Sequence, residues 1–329
     1  MSRLNYGGQA VMEGVMMRGE REWAVAVREP GGEIVVHHDA LPASYRNRVF
    51  KWPFVRGLIS LWDALGLGMR ALLWSGDVAL GEEEETRLTG PLAWGTVAVS
   101  LALGIGLFFL LPMFLTTLVD RYIPTGLLSN LVEGTLRLGL FVGYLAVIGT
   151  APDIARVFAY HGAEHKTINA YEAGVPLTPE SVAAQSRVHT RCGTGFMLLV
   201  LVIFVVIATM MGRPPLLLRL ASRLVLIPIV AGIAYEIIKL SARYYERSRL
   251  VRVVMAPGLA LQQLTTREPT LDMVEVAIEA LEYVLQAEGL AESKPATTAP
   301  MPELVTASMS ASGTWENSEG PRGNGSTGA

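Results

Sequence analysis

Residues 91–119 read PLAWGTVAVSLALGIGLFFLLPMFLTTLV and contain no charged side chain. As an α-helix, this stretch would be about 43 Å long, which exceeds the roughly 30 Å hydrocarbon core of a bilayer. It therefore predicts a first membrane span, with length to spare for a tilt or a kink near Pro112.

The rest of the chain supports a membrane setting. Of its 329 residues, 51% are hydrophobic and only 17% are charged, whereas soluble domains carry about a quarter charged residues. The mean hydropathy is +0.37. Further spans are predicted at 131–151, 193–211 and 216–240, although Glu133 and Arg137 interrupt the start of the second. We therefore predict a predominantly α-helical multi-pass membrane protein with about four transmembrane helices.

The distribution of lysine and arginine predicts the orientation of these spans. Basic residues are frequent in the N-terminal segment, in 152–192 and after Lys239, whereas the connection at 120–130 contains only Arg121. Because cytoplasmic loops are enriched in Lys and Arg, both termini are predicted to be cytoplasmic. The three arginines between 212 and 223 count against this orientation.

Four predicted regions precede the first span or follow the last. Residues 1–47 form a β-rich region with a hairpin signal, since Trp23–Val27 and Ile34–His38 flank a Pro-Gly-Gly turn. Residues 48–75 mix apolar, tryptophan and charged positions, which fits an interfacial or re-entrant helix and equally a buried helix. Residues 241–289 are predicted to be helical, with an amphipathic helix at 269–288, and 290–329 form a disordered tail.

Candidate metal ligands concentrate in the segment 152–192, which we treat as a cytoplasmic loop that carries a metal site. Residues 160–172 read YHGAEHKTINAYE, an H-x-x-E-H pattern made by His161, Glu164 and His165. His189 and Cys192 follow within the same 32-residue window. On a helix, two histidines four residues apart share one face. Three imidazoles and one thiolate suit Zn²⁺, or another divalent transition metal.

Three interpretations of this cluster remain open. In the first, the metal keeps an open position and Glu164 is the catalytic general base, as in H-x-x-E-H hydrolases. In the second, His161, His165, His189 and Cys192 all bind the metal and close a structural site. In the third, no metal binds and the histidines are ordinary polar residues at the end of a helix.

Six further polar residues are predicted to support this site or to contact a substrate: Glu13, Arg18, Lys166, Glu172, Arg191 and Glu236. Glu172 is about 10 Å along a helix from His165, so it fits a supporting role better than a ligand. Glu13 would enter the site if the N-terminal hairpin covered it, or it would pair with Arg18 within a strand. Glu236 is otherwise explained by an i,i+3 ion pair with Lys239.

Four ordered blocks of this sequence resemble the YqhQ-like family of bacterial membrane proteins. They are GGQAVMEGVMMR at 7–18, YHGAEHKTINAYE at 160–172, SRVHTRCGTGF at 186–196 and PGLALQQLTTREP at 257–269. The family is one of unknown function and is sometimes described as a predicted metal-dependent enzyme. The resemblance implies a bacterial cell membrane as the location and names no substrate.

The predicted function is a metal-dependent hydrolase at the cytoplasmic membrane interface, acting on a lipid-linked or peptide substrate among membrane lipids. The alternative is a non-catalytic membrane scaffold or assembly factor with a structural zinc site. A transporter ranks third, because the spans show no inverted repeat and no obvious charge at the midplane. The net charge of −3 gives no indication of a nucleic-acid partner, and a single cysteine excludes an intrachain disulfide.

Overall fold

A computed structural model describes residues 6–41, 52, 55–81, 91–212 and 215–291. Within these ranges the chain is mainly helical, with four helices able to cross a membrane and an N-terminal antiparallel sheet, so the predicted fold class is confirmed. Most of the predicted disordered tail, from residue 292 onward, lies outside the described residues.

The N-terminal sheet has four strands in the order β1-β2-β3-β4, each antiparallel to its neighbour. The strands are β1 Gly7–Val11, β2 Gly14–Arg18, β3 Glu22–Arg28 and β4 Ile34–Ala40. The predicted hairpin corresponds to β3 and β4, and β1 and β2 add a second hairpin before it. β3 is buried along both faces, because helices cover the sheet from two sides.

One of these covering helices is α1, Val55–Leu80, which arises from the predicted 48–75 region. Leu67, Ala71 and Trp74 of α1 pack on the sheet face formed by residues such as Val25 and Val27. Nearer its start, the Arg56 guanidinium donates to Glu236 of the last span, with Nε 2.8 Å from Oε1. Helix α1 therefore joins the sheet to a candidate membrane span, while Trp62 stays 61% exposed.

The four apolar helices that can cross a membrane run over Gly95–Tyr122, Gly126–Ile148, Gly193–Met210 and Val225–Tyr244. The first combines α2 (Pro91–Ile105), a π-helical turn (Gly106–Leu110), α3 (Leu111–Val119) and a 3-10 turn (Asp120–Tyr122). The others are α4 (Gly126–Ile148), α7 (Gly193–Met210) and α8 (Leu216–Tyr244). They form a row in which the first span contacts α4, α4 contacts α7, and α7 contacts α8.

The remaining helices are α5 (Pro152–Ala173), α6 (Pro179–Ala183), α9 (Arg249–Thr265) and α10 (Leu271–Ala287). The segment treated as a loop between the second and third spans thus begins with a 22-residue helix. Pro152 occupies its first turn, where a missing N–H costs nothing, and Gly174 ends it with a left-handed φ of 71°. Helices α5 and α10 pack on the sheet through residues such as Tyr160 and Leu281.

Candidate metal centre

Helix α5 carries the two histidines of the H-x-x-E-H pattern on one face. Its middle, from Ala159 to Ile168, is almost entirely buried between the sheet, α10 and the segment that precedes α7. The ring centroids of His161 and His165 lie 4.4 Å apart. The four-residue spacing therefore brings both imidazoles to one place, as the sequence predicted.

Each of these histidines uses one ring nitrogen to contact a backbone carbonyl. His161 Nδ1 lies 2.8 Å from the Thr265 carbonyl oxygen, and His165 Nδ1 lies 2.7 Å from that of Arg187. A carbonyl only accepts, so we assign the proton of each neutral ring to Nδ1. Both Nε2 atoms then keep a lone pair, which is the arrangement found for metal-binding histidines.

Cys192 supplies the third ligand atom. Its Sγ lies 3.3 Å from His161 Nε2, close to the roughly 3.5 Å that tetrahedral zinc geometry gives between a sulfur and a nitrogen ligand. Ligand atoms of His161, His165 and Cys192 all lie within 4.8 Å of one another. Cys192 directly precedes α7, and the Thr194 N–H points at its sulfur over 3.4 Å. The start of a helix is a favourable place for a thiolate charge.

Glu164 is buried beside this group. Its Oε2 lies 3.9 Å from His161 Nε2. Burial raises the pKa of its carboxyl to about 7, although the nearby His161 and a hydrogen bond from the Gly8 backbone act in the opposite direction. A Cβ at Gly8 would come within 2.8 Å of Glu164 Cγ and 2.6 Å of the Met16 carbonyl oxygen. Only glycine thus lets β1 approach the carboxylate this closely.

His189 stands next to the group without joining it. Its ring centroid is 5.6 Å from that of His165. Its Nε2 lies 3.6 Å from Glu172 Oε2 and has no hydrogen-bond partner within the described part of the chain. The Gln262 side chain fixes the backbone of His189 through two bonds of 2.9 Å. Burial lowers the pKa of His189, which favours the neutral ring.

Three other predicted residues hold the segment between α5 and α7 in place. Glu172 forms an ion pair with Arg191, which also donates to the Tyr6 carbonyl oxygen at 3.3 Å. Burial alone would raise the pKa of Glu172. Its interactions with His189 and Arg191 have a larger effect in total, so the pKa is lowered. Lys166 Nζ donates to the Ala183 carbonyl oxygen at 2.6 Å and pairs with Glu268 at 2.7 Å.

The last three predicted residues lie elsewhere. Glu13, at the tip of the first hairpin, binds Arg156 with Nε 2.6 Å from Oε1, rather than reaching the cysteine and histidines. Arg18 ends β2, where it is paired across the sheet with Gly7 and Trp23. Glu236 lies at the contact between α1 and α8, where Arg56 is its partner.

Four residues that sequence reasoning did not select complete the surroundings: Gly8, Arg187, Gln262 and Thr265. They act through backbone groups or through bonds to the backbone of the ligand segment, so their residue types carry little chemical signal. Two of the blocks that resemble the YqhQ-like family, GGQAVMEGVMMR and PGLALQQLTTREP, contain Gly8, Gln262 and Thr265. Those blocks were the available indication that distant segments meet at this site.

Over the described residues, the fold and this cluster define a class: a helical protein with four helices able to span a membrane and a His-His-Cys group, buried at His165 and Cys192, that fits a metal ion. A family model described as "Protein of unknown function (DUF1385)" matches residues 52–287. The chain is 37% identical over 303 residues to "Uncharacterized protein YqhQ" of Bacillus subtilis (strain 168), covering 87% of this chain and 94% of that protein. The chain belongs to the DUF1385 family. No solved structure matches it.

Proposed function

We propose that the protein is a membrane-bound, metal-dependent hydrolase in which His161, His165 and Cys192 hold one divalent transition metal. One observation carries the proposal: these three ligand atoms lie together, with Nδ1 of each histidine already committed to a carbonyl. Zinc is the preferred ion because it accepts nitrogen and sulfur ligands in a tetrahedral site. Three protein ligands leave one position of such a site for water or substrate.

Glu164 is the proposed general base. Its carboxylate is adjacent to His161 Nε2 but is not one of the three mutually close ligands, as expected of a group that handles a proton. A metal held here would acidify a bound water and polarise the scissile group. Glu164 would accept the proton of the attacking water at its carboxylate and deliver it to the leaving group. A pKa near 7 suits both transfers at neutral pH.

The proposed setting is the cytoplasmic face of the bacterial cell membrane, with both termini on that side. The segment from α5 to the start of α7 connects two candidate spans, which supports a position of the cluster beside the membrane boundary. A bond in a lipid-linked molecule or in a membrane-associated peptide would be within reach of such a site.

A second candidate function is a non-catalytic scaffold or assembly factor with a structural metal. Burial of the group favours this alternative, since His165 is only 1% exposed and Cys192 only 7% exposed. His189, with its unpartnered Nε2 nearby, would then complete the ligand set after a small shift.

The substitution Glu164→Gln separates the two functions. It is nearly isosteric and removes no ligand of the His-His-Cys group. In the hydrolase, this variant should keep its metal content and fail to complement a deletion strain, because proton transfer is lost. The matched control is Glu275→Gln, which changes an exposed residue paired with Arg28 and should complement fully.

Complementation and elemental analysis of the same preparations distinguish the outcomes. Full complementation by Glu164→Gln, together with loss of metal and of folded protein in Cys192→Ser, would exclude the hydrolase and support the non-catalytic scaffold. Failure of Glu164→Gln with normal metal content and normal thermal stability supports the hydrolase.

A further inference from the structure

Helix α9 exposes an apolar stripe along its first half. Leu250, Val253 and Val254 are 73%, 69% and 56% exposed. Residues spaced by three and four positions lie on the same side of a helix. The stripe is therefore continuous, and no other described element of the chain covers these side chains.

Arginines lie beside this stripe. Arg249 and Arg252 are exposed on α9 itself, Arg243 is in the last turn of α8, and Arg247 is in the short turn that leads into α9. Between residues 241 and 260, Glu246 is the one acidic residue in the sequence. An apolar face flanked by arginines is the pattern of helices that lie in the plane of a membrane surface.

The position of α9 matches that pattern. The fourth candidate span ends at Tyr244, and α9 begins at Arg249 after a short turn. The second half of α9 is held in the protein: Leu261, Gln262 and Thr265 are buried, and a Cβ on Gly258 would lie 3.4 Å from the Gly195 Cα of α7. This packing anchors the end of α9, whereas its first half, next to the end of the fourth candidate span, leaves the apolar stripe uncovered.

We infer that α9 is a surface-bound helix that inserts Leu250, Val253 and Val254 into the lipid boundary and binds anionic phospholipid headgroups through Arg249 and Arg252. An anionic membrane surface attracts arginines that lie near it, and salt weakens this attraction. The inference rests on α9 alone and needs no metal in the His-His-Cys group.

Lipid attachment of α9 would also set the height of the metal centre above the bilayer. The last turns of α9 contact the centre directly, since the Thr265 carbonyl accepts from His161 and the Gln262 amide holds His189. The Arg187 guanidinium donates to Gln263 Oε1 at 2.8 Å. One helix, α9, thus links the proposed headgroup contacts to the ligand segment.

Hydrogen–deuterium exchange on the full-length protein in nanodiscs tests the inference. We compare discs of phosphatidylcholine with discs of an equal mixture of phosphatidylcholine and phosphatidylglycerol. Amides in residues 249–256 should exchange about tenfold more slowly in the mixture, and high salt should reverse the difference. The double variant Arg249→Gln/Arg252→Gln should exchange equally in both discs.

The matched control is Arg21→Gln/Arg121→Gln, which removes two exposed arginines far from α9 in the sequence and should keep the full lipid dependence. Equal exchange of the wild-type protein in both discs would overturn the inference. So would protection that depends on protein concentration and persists without phosphatidylglycerol, since a second copy of the chain would then cover the stripe.

Discussion

Two polar clusters in this protein, the Glu133–Arg137 pair and the His-His-Cys group, differ in how their polar atoms are arranged. In the middle of α4, Arg137 Nη2 donates to Glu133 Oε1 at 2.7 Å, and Arg137 Nε donates to the Phe108 carbonyl oxygen at 2.9 Å. The rings of Phe109 and Phe204 lie 5.2 Å from the same guanidinium. The His-His-Cys group, in contrast, keeps three ligand atoms facing one another around a common centre.

The Glu133–Arg137 pair is a closed network, because its charged groups bind each other and a backbone carbonyl. The His-His-Cys group is an open cluster, because the ligand atoms of the two histidines and of Cys192 lie together as they would around a metal ion. Phe108 lies in the π-helical turn of the first span, and π-turns disturb the regular ladder of helical hydrogen bonds. Arg137 donates to that carbonyl, and Glu133 balances its charge, so the pair makes these bonds within the protein. Ionisable groups inside a membrane are usually functional. Because Glu133 and Arg137 bind each other, we favour a structural role for this pair.

The largest effect expected from this comparison is on metal content. His165→Ala removes a ligand, so its affinity for zinc should fall more than about 100-fold, and dialysed protein should retain almost none. His38→Ala is the control, because His38 lies on β4 against Tyr283 with ring centroids 4.9 Å apart. Elemental analysis should give about one metal ion per chain for the wild type and for the control. Equal metal content in His165→Ala would show that the open cluster is not a metal site.

The next effect concerns the closed pair. Arg137→Met leaves Glu133 buried without its partner and should lower the free energy of unfolding by about 3–5 kcal/mol. Glu133→Gln/Arg137→Met removes both charges and should recover much of this loss. Thermal unfolding in detergent measures both variants. Metal content per folded chain should equal that of the wild type, since the two clusters are independent. An unchanged free energy of unfolding in Arg137→Met would contradict the structural role of the pair.

The sequence predicted the candidate spans and the pairing of His161 with His165. The charge-free run at 91–119 predicted a span by length alone, and the four-residue spacing of His161 and His165 predicted a shared face. The position of the charges in the second span was harder to anticipate. α4 begins at Gly126, five residues before the predicted start of the span at 131, and this moves Arg137 to the middle of the helix. Arg137 therefore lies at the middle of a candidate span, where the sequence had indicated no obvious charge.

Long-range partners account for what the sequence did not predict. Glu236 fits an ion pair with Lys239 by spacing, yet its carboxylate binds Arg56, which is 180 residues away. His189 has a ligand-like spacing to Cys192, but Gln262 holds its backbone so that its ring lies beside Glu172. Such contacts depend on how α1, α8 and α9 pack. Local periodicity carries no information about that packing.

The smallest expected effect is a pH dependence of stability that comes from Glu164, beside the His-His-Cys group. In the metal-free protein, burial raises the pKa of Glu164 from 4.5 to about 7. Between those values the folded chain holds a proton that the unfolded chain has released. Stability should therefore fall as pH rises through this window, by roughly 3 kcal/mol at most. Stability curves of wild type minus Glu164→Gln isolate this contribution, because the other titrating groups cancel.

Addition of zinc should reduce the slope of that difference curve. A cation beside the carboxyl favours its ionised form and lowers its pKa toward the unfolded value, so fewer protons separate the folded and unfolded states. The comparison requires unfolding curves in detergent across the window, with chelator and with zinc. A slope that is the same in wild type and Glu164→Gln would mean that water reaches the carboxyl freely. In that case Glu164 would lack the buried environment on which its proposed role as a neutral-pH base depends.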